Sequence, residues 1–536
     1  MSDEQPPDHG GDKTPAERAG ATPLDPELFR ASAGPHAADR RRPLDEAGSG
    51  PPDAYEVRRR RRRRQHSARP WFGAAAALAV VAVLATGLGL LVEGDTSVAE
   101  GGAPELVLST PVASARRVPE LLVRPVAARN LNSLLQPLLD GAPVDICLEA
   151  RDTGAPAALR NQTAPLTPAS NMKLVVAAAA LDVLGPDTRL TTRFATDGSP
   201  TDGATVQGNL YMIGGGDPLL TTDSYEARLV NGVQPATDLE SVADQIVDTG
   251  VRRITGSVVG DESRYDTVRS APSWPARFTT QGQVAPLSAL LVNDGWSSSG
   301  GPVGDPALHG ATVLTDLLTE RGIEIDGSPE VGVAPASATT LTEIPSLPVA
   351  ELVAEALRFS DNTTTDLLVK ELGVSAGAGG STVAGLDVVR AWIAESSLPA
   401  DGVSFDDGSG LSANDKVTCE FLSALLAAEG SDGTIANGLA RPGEPGTLDD
   451  RFLSEPLRSG LRAKTGTLLS VTALSGWLRT GPGADLSYSL IINTGDRNVA
   501  DSDLSLQRKI LEALLTYPDA PPVDALVPTE PVPPRG

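Results

Sequence analysis

The sequence predicts an α+β protein whose sheet is packed by helices from both chain ends, with a β-rich insert and one transmembrane helix ahead of it. Three observations lead there. The chain has 536 residues, too long for one ordinary domain and ample for a large core. Trp71–Val92 is a run of 22 residues without a charge, long enough to cross ~30 Å of hydrocarbon at ~1.5 Å per residue. Beyond it the hydrophobic pattern reads helix, strand, helix, a long stretch of strands and turns, then helix, strands and helix.

Residues 1–57 are rich in Pro, Gly, Asp and Ala and lack apolar periodicity. They bury too little surface to offset the entropy of ordering, so 1–70 is expected to be a disordered cytoplasmic arm. Seven arginines, Arg58–Arg64, together with Arg69, flank one end of the 71–92 run; Glu93 and Asp95 flank the other. The positive-inside rule then gives a single-pass cell-membrane protein, N-terminus cytoplasmic and body extracytoplasmic, held in the lipid bilayer by residues 71–92. The arginine run fixes topology and can meet anionic head groups. A cleaved leader ending near Ser97-Val98-Ala99 is the competing reading, but leaders have a shorter apolar stretch and no such long charged arm.

Residues 93–125 read as a linker containing Gly and Pro. A helix around Ala127–Leu139 leads into a period-2 strand at residues 144–149, and Leu174, Ala178 and Leu181 recur at helical spacing. So do Leu352, Ala356 and Phe359. Leu486, Tyr488, Leu490 and Ile492 alternate with Ser487, Ser489 and Ile491 as a strand, and Leu506, Ile510 and Leu514 mark a last helix. The expected division is one discontinuous domain, 126–195 with 345–517, and an insert at 196–344 holding strand-like runs at Asn209–Ile213 and Arg253–Val259. Residues 518–536 are a Pro-rich tail.

Composition excludes several functions. Residues 1–70 carry 12 acidic and 14 basic side chains, whereas 93–536 carry 57 acidic and 30 basic, a net of −27. Such a body repels phosphate backbones, so no nucleic-acid partner is expected. Two cysteines cannot build a Cys-based zinc site or a disulfide-stapled module. His9, His36 and His66 precede the body and leave His309 alone in it. A histidine triad or a histidine metal site therefore has almost nothing to draw on, and no metal or cofactor is expected. His309 reads as a surface or packing residue. Cys147 on a strand and Cys419 in a predicted helix read as buried unpaired thiols, although an oxidising compartment would let them pair.

Chemistry without histidine points to serine and lysine. In Ser170-Asn171-Met172-Lys173, after Pro168, the serine and lysine share one face of an amphipathic helix. Serine needs a base beside it, and a lysine with a depressed pKa is the candidate at hand. The bland reading of Ser170 is a helix N-cap. Ser360-Asp361-Asn362 ends a helical run, where a polar terminus or Asx-turn is the simpler account. Lys464-Thr465-Gly466-Thr467 precedes Leu468-Leu469. Its glycine would let a substrate approach, and its lysine and threonines could grip a carboxylate, against a solvated lysine before an edge strand. Gly373-Val374-Ser375-Ala376-Gly377 fits a nucleophile elbow, but no histidine follows it, so it reads as a Gly-rich turn.

Each pattern alone is weak. In order, S-x-x-K, S-x-N and K-T-G form the signature shared by penicillin-binding proteins and serine β-lactamases. Residues 208–218, Gly208-Asn209-Leu210 to Gly214-Gly215-Gly216-Asp217-Pro218, resemble a segment of the low-molecular-mass class C penicillin-binding proteins, the D-alanyl-D-alanine carboxypeptidases and endopeptidases of the penicillin-binding protein 4 type. Residues 285–290 (Ala-Pro-Leu-Ser-Ala-Leu) and 407–412 (Asp-Gly-Ser-Gly-Leu-Ser) resemble that family too, and the likeness spans about residues 110–516. By themselves the glycine-rich pieces read as turn chemistry. Ser170 and Ser360 are 190 positions apart, closer than in members with two full inserted domains. The long arm and anchor are additions to the family pattern.

The resemblance implies a penicillin-binding/β-lactamase-type fold, an antiparallel sheet flanked by helices. It also implies a mechanism. Ser170 would attack the penultimate D-alanine of a peptidoglycan stem peptide ending in D-Ala-D-Ala, Lys173 would take its proton, and Ser360 with Lys464 would pass a proton to the leaving nitrogen. Asn362 would bind the substrate amide; Lys464, Thr465, Gly466 and Thr467 would hold the terminal carboxylate. The N–H groups of Ser170 and Thr467 would form the oxyanion hole. β-Lactams would trap the same serine. The alternatives are a serine β-lactamase and an inactive wall-binding scaffold.

Overall fold

The computed structural model describes residues 120–520, apart from 143, 199 and 227–233. The expected arm, transmembrane helix and most of the linker and tail lie outside the described residues. Among the described residues, no helix is long and apolar enough to cross a membrane.

Helix α1 (Glu120–Asp140) leads into the hairpin β1 (Asp145–Asp152) and β2 (Ala155–Arg160), and α2 (Lys173–Val183) follows a 3₁₀ turn at Ala169–Met172. The chain then makes the insert: β3 (Thr191–Thr196), β4 (Leu210–Ile213), α3 (Leu239–Asp248), β5 (Val258–Asp261), α4 (Pro306–Glu320), β6 (Glu330–Val331) and β7 (Thr339–Pro345). It returns through α5 (Val349–Phe359), α6 (Asn362–Ser375), α7 (Thr382–Glu395) and α8 (Cys419–Glu429). Strands β8 (Leu461–Leu468), β9 (Val471–Arg479) and β10 (Asp485–Asn493) and helix α9 (Asp501–Leu514) complete it.

The central sheet is antiparallel in the order β8-β9-β10-β1-β2, with Glu149 opposite Ser489. Side chains alternate between its two faces as the pleat requires. Ile146, Leu148, Leu486, Tyr488, Leu490 and Ile492 pack under α1 and α9, at the two ends of the domain. Cys147, Ala473, Trp477 and Ile491 face the other way, onto α2, α5 and α8. Thus an antiparallel sheet is flanked by helices from both chain ends.

Two expectations are corrected. Cys147 and Cys419 are bonded to each other, with Cα atoms 5.9 Å apart across 272 positions. Cys147 points to the helical face of β1 and Cys419 opens α8, which lies on that face, so the Cα separation suits a bridge. The insert is not mainly β. Its mixed sheet, β6-β5-β4-β3-β7, is covered by α3 and α4, whose Val242, Ala243, Ile246, Ala307, Ala311 and Leu314 share one core with Leu210 and Met212. Both helices carry legible starts: Asp238 accepts from Glu240 and Ser241 N–H, and Asp305 accepts from Leu308 N–H ahead of Pro306. The run Arg253–Val259 is also broken. Between its strand pieces, a Cβ on Gly256 would stand 2.2 Å from Asn209 Oδ1.

The insert is fastened to α6. Trp274, Phe278, Leu287 and Leu291 share a core with Leu367 and Leu411. Arg264 donates to Glu371 at 2.9 and 2.5 Å, Tyr265 Oη donates to the same carboxylate at 2.9 Å, and buried Lys370 pairs with Asp266.

Candidate active site

The turn that carries Ser170 is held by two side chains. Asn493, at the end of β10, accepts from Thr167 N–H at 2.9 Å and donates to the Thr167 carbonyl at 3.0 Å. Lys416 Nζ donates to Thr167 Oγ1 at 2.6 Å. Ala169 then takes a left-handed φ of 48°, a conformation that costs an L-residue energy and places Ser170 at the mouth of α2. Ser170 is not an N-cap: no side-chain cap bond closes the turn or α2, and its Oγ accepts from Lys173 Nζ at 3.1 Å. Nor is α2 amphipathic. Every residue from Lys173 to Leu181 is buried, because the helix runs through the centre of the domain.

The other motif residues converge here. Ser360 ends α5 in the left-handed region at φ 63°, and Asp361 caps α6 by accepting from Thr363 and Thr364 N–H. Asn362 therefore begins a new helix and turns its Oδ1 to Lys173 Nζ, 2.6 Å away, while its Nδ2 donates to the Gln283 carbonyl at 2.6 Å. Lys464 Nζ donates to Ser360 Oγ at 2.8 Å and to the Thr465 carbonyl at 2.9 Å. Edge strand β8 brings Lys464 in beside the 3₁₀ turn. A Cβ on Gly466 would stand 2.7 Å from the Pro168 carbonyl, so this glycine admits the protein's own backbone. Thr465 is buried and Thr467 exposed. Ser375 takes no part: it lies at the end of α6, donating to the Leu372 carbonyl at 2.9 Å.

Turn chemistry alone did not reveal the role of the 407–412 loop. Asp407 does close a turn, accepting from Gly410 and Ser412 N–H at 2.6 and 2.7 Å, but it also accepts from Trp274 Nε1 of the insert at 2.6 Å. The loop so fixed presents the Ser409 carbonyl to Lys173 Nζ at 2.6 Å. Gly410, at φ 81°, would put a Cβ 1.9 Å from the Ala169 carbonyl. The glycines at 214–216 likewise serve close approach: a Cβ there would meet Ala289, Thr191 and Tyr265 within 2.4 Å.

Lys173 is only 1 % exposed. Burial pushes its pKa down to about 8, against the opposing pull of Asp366, Asp407, Asp361 and Glu355. Lys464, fully buried, is held well below the ordinary lysine range by burial and by the Lys173 charge. A serine hydroxyl thus sits beside an amine that can be neutral near physiological pH, which is what a serine nucleophile requires.

A central antiparallel sheet flanked by helices, with a Ser–Lys pair at the head of a buried helix, defines a serine peptidase of the penicillin-binding fold. The chain belongs to the D-Ala-D-Ala carboxypeptidase 3 (S13) family, which it matches over residues 127–301 and 297–514. It is 27 % identical over 471 residues to a D-alanyl-D-alanine carboxypeptidase of an Actinomadura species, covering 72 % of this chain and 84 % of the relative. It is also 27 % identical over 413 residues to the carboxypeptidase DacB of Mycolicibacterium smegmatis, covering 74 % and 84 %. Among solved structures, penicillin-binding protein 4 of Haemophilus influenzae superposes with a TM-score of 0.62 at 19 % identity, covering 72 % of this chain and all of that one. That protein has also been solved in complex with a β-lactam.

Proposed function

We propose that this chain is a membrane-anchored, extracytoplasmic D-alanyl-D-alanine carboxypeptidase that acts on peptidoglycan stem peptides through a Ser170 acyl-enzyme, and that the same intermediate serves endopeptidase cleavage of cross-links. The observation that carries the reading is the 3.1 Å contact between Ser170 Oγ and the buried Lys173 amine. As the neutral base, Lys173 accepts the serine proton while Oγ bonds to the penultimate D-alanine carbonyl carbon. Ser360, polarised by Lys464, passes a proton to the departing nitrogen, and water then releases the acyl group. Asn362 keeps one N–H and one lone pair for a substrate amide beyond its present partners. Lys464, Thr465, Gly466 and Thr467 border the place for a terminal carboxylate. A β-lactam carbonyl enters the same path.

The test is the intact mass of the protein after incubation with a penicillin, followed over time. A persistent adduct on Ser170 is expected, absent from Ser170→Ala, which should melt within a few degrees of the wild type. Labelling that survives Ser170→Ala discards the nucleophile, and fast drug hydrolysis without an adduct indicates a β-lactamase.

The anchor rests on the uncharged 22 residues at 71–92 and their flanking arginines. The full chain should sediment with membranes, and protease added to cells stripped of their wall should reach the body. Deleting residues 1–92 should release it. A full chain found only in the soluble fraction refutes the anchor.

A further inference from the structure

Helix α6 brings two side chains toward Lys173. Asn362 and Asp366 are one turn apart on the same face. The first accepts from Lys173 Nζ. The second, wholly buried, accepts from Gly408 N–H on Oδ1 at 2.9 Å. Gly408 directly precedes Ser409, whose carbonyl is another partner of Lys173. The loop comes this close because residue 408 has no side chain: a Cβ would stand 2.5 Å from Val369 Cγ2 and 3.3 Å from Asp366 Oδ1 and Val176 Cγ2. Asp366 Oδ2 and Ser409 Oγ are buried beside one another, and Ser409 and Gly408 both favour the charged form of the carboxylate. These two neighbours leave a wholly buried carboxylate undercompensated unless its charge also acts on a nearby cation, and the cation that feels it here is Lys173.

We infer that Asp366 is a positioning residue for acyl transfer: it fixes the 407–412 loop that holds Lys173 by the Ser409 carbonyl, and its carboxylate faces the ammonium that forms when Lys173 takes the serine proton. The inference rests on the roles of Ser170 and Lys173 proposed above. Other charges face Lys173 as well: Asp407 from the loop, Asp361 from the α6 cap, Glu355 from α5 and Lys464 from β8. Asp366 is itself faced by Asp407 and Lys173, and Asp415 lies beyond Asp407. Burial and Asp407 lift Asp366 to about 7, so it and Lys173 change charge over neighbouring pH ranges, each within the field of the other.

Asp366→Asn removes the charge while keeping an acceptor for Gly408 N–H and giving Ser409 Oγ a donor. The acylation rate with a penicillin is measured from pH 5 to 10 on wild type and variant. The rate requires neutral Lys173, so it climbs as pH rises through the Lys173 pKa. Without the Asp366 carboxylate that pKa falls, and the rising limb should move down by about one pH unit. The plateau should drop about threefold as the base weakens, since the rate follows basicity with a coefficient below one. A merely structural role lowers the plateau and leaves the limb in place. A variant whose limb coincides with the wild type overturns the inference; a wild type that forms no Ser170 adduct instead overturns the reading of the site. If Asp366→Asn does not fold, lysine carbon NMR on the wild type decides the matter, since the chain has only six lysines. The Lys173 signal should show an inflection where Asp366 ionises as well as its own, and a single inflection refutes the coupling.

Discussion

Lys173→Ala should slow acylation by about 10²- to 10⁴-fold, the range a positioned general base contributes, while the protein stays folded. Three acceptors lose their donor together: Ser170 Oγ, Asn362 Oδ1 and the Ser409 carbonyl. Buried acceptors left bare cost about 1–3 kcal/mol each, but two effects offset part of this. Lys173 is no longer desolvated, and Lys464 is relieved of the positive neighbour that lowers its pKa. Stability should therefore fall by much less than the three bonds suggest, whereas the rate should not recover, because the one histidine among the described residues, His309, stands on α4 of the insert rather than beside Lys173. Acylation measured by mass at saturating penicillin, beside a melting curve, separates the two effects. A rate within tenfold of the wild type would show that another group takes the serine proton.

Removing the Cys147–Cys419 bond is the second large effect. The bridge joins a central strand to the helix packed on it and closes a loop of 272 positions, so its loss should lower stability by about 5–6 kcal/mol on the chain-entropy account, and by about 2–5 kcal/mol on the scale at which native bridges are found to act. Cys147→Ala with Cys419→Ala leaves two small buried residues in place of the bridge and should lower the denaturant midpoint while steepening the slope, because the unbridged denatured chain is more expanded. A loss under about 1 kcal/mol would contradict the stated role of the bond. Direct evidence is available too: the unfolded, unreduced wild type should carry no free thiol.

Much of this was legible in the sequence where local rules decide the outcome. The alternation from Leu486 to Ile492 and the helical spacing of Leu352, Ala356 and Phe359 reappear as β10 and α5, and the three motifs converge around Lys173. What stayed hidden depends on long-range pairing. The bond between Cys147 and Cys419 follows from which face of β1 receives α8, and no local pattern encodes that choice. The glycines of the 208–218 and 407–412 segments look like turn residues, yet Gly215 and Gly410 are needed because distant backbone lies within 2.2 Å of where a Cβ would be. The helices of the insert are different. Asp238 and Asp305 are cap residues of a type local rules favour, yet the strand-like runs at 209–213 and 253–259 dominate the pattern of that segment.

Strand β1 is the fourth of five in the central sheet, and its inner neighbour is β10, some 340 residues later in synthesis. The serine and its lysine thus leave the ribosome early, but the sheet that braces their turn cannot close until Asn493 has emerged to clasp Thr167. A nascent chain halted before β8 has neither Lys464 nor the strand that brings Gly466 against Pro168. Hydrolytic competence therefore comes at the end of biogenesis. Such late closure keeps a half-made polypeptide from cutting anything, and makes the folding of this enzyme a slow search between its two ends.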